Sequence, residues 1–185
     1  MNFNIHRNLE GLHAPFPASQ SAWLRYDDDK AKEAYSRKKS AELGSRLHAW
    51  AKDTIDLGIK QPKSKKTLYE YVNDAIGFKM ATEVVLFYSD RFFGTADAIS
   101  FKNNFLRIHD YKSGITPVHM DQLYIYAALF CLEYVVKPEN IKIELRIYKQ
   151  GEALCDEPDP EVIRAIMNKI VDSDRFLRKL KEEER

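Results

Sequence analysis

An α/β fold, a mixed central sheet flanked by helices, is what the order of patterns along this sequence predicts. Three observations carry it. Ile141, Ile143, Leu145 and Ile147 alternate with Lys142, Glu144, Arg146 and Tyr148, the period of a half-buried strand with one wet face. Residues 92–114 hold two short extended runs joined by Lys102-Asn103-Asn104. Between these patterns, residues 119–136 are apolar most of the way round, as in a buried helix. The predicted order is α-βββ-α-β-α in a single domain over residues 1–185.

Taken in order, residues 1–26 read as an irregular or helical lead. Pro15 and Pro17 break it, and Ser19 or Ser21 is placed to cap a short helix through Trp23, Leu24 and Tyr26. Asp27, Asp28 and Asp29 then open a long helix to about residue 57, because acidic groups suit the positive end of the helix dipole. Leu43, Leu47, Trp50 and Ala51 share one face of it, the expected buried stripe. Residues 58–68 form a loop around Gly58 and Pro62. Lys60, Lys63, Lys65 and Lys66 make it basic, either a solvated loop or a clamp on phosphates. Residues 69–78 read as a short helix or turn, and residues 80–89 as the first strand, with a turn at Ser89-Asp90-Arg91. Pro138 stops the buried helix. Residues 149–158 read as a loop, and a final helix runs from about residue 161 into the charged KLKEEER end.

The bulk numbers exclude several classes. At 185 residues and 44% hydrophobic, the chain can bury a proper core. Net charge is +1, so a nucleic-acid partner must be held by local patches rather than by a whole-protein field. Cys131 and Cys155 form neither a disulfide framework nor a CxxC knuckle, which fits a reducing cytoplasm. The first residues lack the apolar core of a signal peptide, and no apolar run reaches the length of a membrane span, so no membrane is expected.

The chemistry concentrates in the paired strands. Asp110 and Lys112 lie two apart, so both side chains leave one strand face, with Leu106 and Ile108. If the strand from residue 92 pairs antiparallel beside it, Asp97 reaches the same point. Two carboxylates and an ammonium there suit a divalent cation and a polarised water. An acid among Ala96, Ala98 and Ile99 is costly without a cation; the alternative for Asp97 is a structural ion pair with Lys112. His109 points away from Asp110, and both it and His119 are read as non-ligands.

Four motifs in this order resemble the PD-(D/E)XK nuclease superfamily, and within it the RecB-like exonucleases. Gly94-x-x-Asp97 looks like the family's GxxD strand, and Asp110-x-Lys112 is similar to its (D/E)xK strand. Gln122-x-x-x-Tyr126 resembles the QxxxY helix, and Gly44-x-x-x-His48 the helix histidine of the RecB branch. Together they span residues 44–126. The resemblance implies that His48, Asp97, Asp110 and the backbone carbonyl of Tyr111 hold Mg²⁺ or Mn²⁺. It implies that Lys112 orients the attacking water, and that Gln122 and Tyr126 brace the site or touch the DNA backbone. Glu83, on the preceding strand, stands where some relatives place another acid. A set of four cysteines for an iron–sulfur cluster is lacking, so the resemblance is to the cluster-free members, among them viral and mitochondrial genome-maintenance exonucleases. No GxxxxGK[ST] motor motif is present. The implied activity is a metal-dependent DNA exonuclease on single-stranded or linear ends in recombination or repair. The alternatives are an endonuclease of the same fold and a non-catalytic nucleic-acid-binding module. A homo-oligomer and a recombination or replication protein are the partners such a reading admits besides DNA.

Overall fold

The computed structural model describes Arg7 and residues 14–114, 117–149 and 151–183. Most of the first thirteen residues of the predicted lead, and the last two of the charged end, lie outside the described residues. The chain divides into two compact units, Met1–Ser45 and Arg46–Arg185.

In the first unit, Phe16 and Trp23 rings lie 6.2 Å apart, and the Trp23 indole Nε1 donates to the Pro17 carbonyl at 3.0 Å. Ser21–Arg25 forms a short 3₁₀ turn whose N-cap, Gln20, makes no side-chain capping bond. Neither Ser19 nor Ser21 therefore caps it. Helix α1 (Asp28–Asp56) follows. Asp27 caps it through the Lys30 amide at 2.8 Å, satisfying one of the first-turn donors. Leu43 is exposed, and the stripe predicted for this helix is buried only further on, at Ala51, Thr54 and Ile55. Trp50, expected inside, is also part-exposed and lies 6.0 Å from the Tyr69 ring.

The second unit is built on a five-stranded mixed sheet. Its strands are β1 (Ala81–Ser89), β2 (Phe92–Lys102), β3 (Phe105–Lys112), β4 (Lys142–Lys149) and β5 (Glu152–Asp156), in that spatial order. β1, β2 and β3 form an antiparallel meander. β3 and β4 pair in parallel, so a crossover must join them. Helix α3 (Asp121–Glu133) supplies it. On one face, α3 and α4 (Pro160–Glu183) pack Leu123, Ala127, Cys131, Ile163 and Ile170 against Leu86, Leu106, Ile108 and Ile147. On the other face, the end of α1 and helix α2 (Thr67–Gly77) pack Ala51, Ile55, Tyr71, Val72 and Ala75 against Ala98, Tyr111 and Tyr148.

Two expectations for the strands need correction. Glu152–Asp156 is strand β5, not loop; it pairs antiparallel with β4 and extends the sheet by one edge strand. The face of β4 expected to be wet is covered. Tyr148 is fully buried and donates to Asp74 of α2 at 2.7 Å, while Arg146 reaches the same carboxylate at 3.0 Å. That is the usual state of a parallel strand in an α/β sheet, sealed on both sides.

A carboxylate also fastens the hairpin tip. Asp174 of α4, 2% exposed, accepts from Ser89 Oγ at 2.7 Å and Arg91 Nε at 2.9 Å, and pairs with Arg178. The serine hydroxyl, then the two guanidiniums, hold its carboxyl below the usual range. Among the described residues no helix is long and apolar enough to cross a membrane.

Candidate functional site

The site forms where the β2–β3 ladder ends. Backbone pairing runs from Lys102 opposite Phe105 to Ala98 opposite His109, and goes no further. The carboxylate of Asp97 enters the fork and accepts the Tyr111 backbone N–H at 3.1 Å. A side chain thus replaces the next rung of the ladder, which both satisfies the amide and fixes the acid.

The β1–β2 pairing is irregular at the same level. Thr82 faces Ala98 and Val84 faces Ala96, while Glu83 sits between them with φ +50°. Thr82 bonds Asp56 of α1, yet Val84 packs on the α3 side, so strict alternation breaks at Glu83. On β2, Ala96 belongs to the α3-side core and Ala98 to the opposite one, so it breaks at Asp97 too. The paired irregularity aims both carboxylates at α1. His48 meets them there, with Nδ1 3.2 Å from Asp97 Oδ2. One ligand atom each from His48, Glu83 and Asp97 lie within 4.8 Å of one another. A left-handed non-glycine residue is strained, and such strain clusters where a fold must aim a side chain. The hydrogen bond that His48 donates to the Asp97 carboxylate raises its pKa, partly offset by burial.

Asp110 and Lys112 add the second half. Lys112 Nζ lies 2.9 Å from Asp110 Oδ1 and 2.9 Å from Gln122 Oε1. Gln122 Nε2 donates in turn to Tyr126 Oη at 2.8 Å. The i, i+4 pair on α3 therefore braces the lysine. Gly94 completes the fit: a Cβ there would lie 2.8 Å from Tyr126 Cε1, so only glycine lets β2 pass beneath the ring. Asp110 is 2% exposed, and its Oδ2 has no hydrogen-bond partner. Burial, and then the charge of Asp97, push its carboxyl pKa up against the pull of Lys112. A cleft of 310 Å³ opens beside Lys112 and Gln122, lined also by His119.

Six of the predicted site residues, His48, Asp97, Asp110, Lys112, Gln122 and Tyr126, thus sit in two hydrogen-bonded groups around one strand fork. Glu83, placed last among the candidates, lies closer to His48 and Asp97 than its sequence context suggests. No local pattern shows this, since it depends on cross-strand register. At Tyr111 the backbone group engaged is the N–H, and its ring packs 5.8 Å from His48. Asp97 pairs with His48, not with Lys112 as the structural alternative required. Lys60, Lys63, Lys65 and Lys66 are all exposed, and none bonds a site residue among the described residues. His109 does point away, against buried Tyr148 and the part-exposed Phe78 ring, and burial pushes its pKa down to about 3.

A divalent cation fits this donor set. A buried acid with an unpartnered oxygen, two further carboxylates and an imidazole form a hard, anionic cradle that one lysine does not neutralise. In sequence, the chain matches no protein-family model and no curated protein.

Proposed function

We propose that this chain is a divalent-metal-dependent nuclease of the PD-(D/E)XK type, acting as an exonuclease on single-stranded or linear DNA ends. The observation behind it is the unpartnered Oδ2 of buried Asp110 beside the His48–Glu83–Asp97 group, with Lys112 held alongside. Asp97, Asp110 and His48 would hold Mg²⁺ or Mn²⁺, with Glu83 and the Tyr111 carbonyl as further ligands. The imidazole favours Mn²⁺ without excluding Mg²⁺. Bound there, the ion supplies charge neutralisation and a more acidic water.

The remaining work belongs to the chain. Lys112 is gripped by Asp110 and Gln122, so its ammonium is fixed before substrate arrives and offsets charge growing on the phosphate. Tyr126 and Gln122 hold that geometry rather than touching the reacting atoms. Asp97 keeps His48 oriented through Nδ1. Purified protein with Mn²⁺ should degrade an end-labelled single strand, and EDTA should stop it. A covalently closed circle that is also cut would move the assignment to an endonuclease. Binding of DNA with no metal-dependent cleavage would leave a non-catalytic module.

A further inference from the structure

The β1–β2 hairpin continues past the site with one face uncovered. Its other face, carrying Val84, Leu86 and Ala96, packs in the core with α3. The uncovered face bears two further rows: Val85 opposite Thr95, then Phe87 opposite Phe93. Val85 is 53%, Phe87 45% and Phe93 61% exposed. These rows lie opposite Val84, Leu86 and Ala96, on the side where Glu83 and Asp97 meet His48, and a strand rise of about 3.3 Å per residue sets the phenylalanine pair roughly 13 Å from the acids. That is a distance a few nucleotides of one strand span.

We propose that Phe87 and Phe93 form a stacking platform for the bases of a single-stranded nucleic acid whose backbone enters the metal site. This rests on the nuclease reading above. Three features select that occupant. The two rings are directly opposed and open to solvent, and every base has a flat face to lay on them. Among the described residues, the strand positions of that face, Val85, Thr95, Phe87 and Phe93, include no cation, and Arg91, at the tip, gives its guanidinium to Asp174. A surface without cations grips bases rather than phosphates, and bases are reachable only in an unpaired strand. A second copy adding a strand at this edge is disfavoured, because the rim N–H of Phe87 already donates to Glu133 at 2.8 Å.

The test uses oligodeoxythymidylate in EDTA, where nothing is cleaved. Phe93→Trp places a reporter on the platform, and its fluorescence should be quenched as the strand binds. Phe87→Ala and Phe93→Ala should each weaken binding roughly ten-fold, the scale of one lost base stack. Phe93→Leu keeps apolar bulk but loses the ring, and should weaken binding as well. No quenching and unchanged affinity in all three variants, with wild-type protein still cleaving in Mn²⁺, would overturn the platform and leave the nuclease reading standing. Wild-type protein that fails to cleave defeats the nuclease reading instead, and the quenching then decides the platform alone. Phe93-dependent self-association in sedimentation, without quenching, assigns the face to a second copy and also overturns it.

Discussion

Neighbouring residues of β3 feed two charged clusters of one sheet, a rear one beneath α2 and a front one at the strand fork. At the rear, Arg107, His109, Glu144, Arg146, Asp74 and Tyr148 interlock. Two guanidiniums meet two carboxylates: Glu144 lies 3.4 Å from Arg107 and 3.1 Å from Arg146, though both contacts are off hydrogen-bond angles. Arg107 also stacks on the Phe105 ring at 3.6 Å. In front, Glu83, Asp97 and Asp110 face one ammonium and one imidazole. The rear cluster balances its charge and closes. The front leaves an excess of acid at a fork open to solvent. Burial of ionisable groups is common to both, so burial does not mark function; the charge left over does.

The largest expected effect breaks the comparison on activity. Asp110→Asn or Lys112→Ala should lower metal-dependent cleavage by about 10³-fold, read in single-turnover assays. Glu144→Ala should leave cleavage per folded molecule unchanged. Its cost falls on stability instead, about 2–3 kcal/mol in urea melts, because two part-buried guanidiniums lose their shared partner. Mn²⁺ should raise the melting temperature of wild-type and Glu144→Ala protein but not of Asp110→Asn.

Next comes the sign of the pH dependence in EDTA. His109 has a folded pKa near 3 against an ordinary value of 6.5, so the unfolded chain binds the extra proton. Its contribution is complete above pH 6.5 and is lost as pH falls toward 3. Asp110 has a raised pKa, so the folded state takes the proton first. Its penalty is present at neutral pH and is relieved as pH falls through that raised value. His109→Gln should flatten the acid loss, and Asp110→Asn should remove the acid gain. Identical melting curves against pH for both variants and wild type would refute the contrast.

The smallest effect is steric. Gly94→Ala should cost about 1–2 kcal/mol and loosen the Tyr126–Gln122–Lys112 chain, since the added methyl meets the ring. Adding Tyr126→Leu should recover the stability and not the activity.

Much of the front was legible because its parts are local. Asp110-x-Lys112 is one strand period, and Gln122-x-x-x-Tyr126 is one helix turn. What was not legible depends on long-range pairing. Glu83 reaches Asp97 only through the β1–β2 register, and Gly94 meets Tyr126 only after α3 crosses the sheet. Arg146 and Tyr148 looked like a solvent face because Asp74, their partner, lies more than seventy residues earlier. β5 hid in five residues with exposed Cys155, too short and too polar to announce a strand.

Asp174 has one more consequence, for the order of events during synthesis. It is the last helix that clasps Ser89 and Arg91, far down the chain from the hairpin it secures. A growing polypeptide can lay down every acid of the cradle and still have a loose hairpin tip until α4 leaves the ribosome.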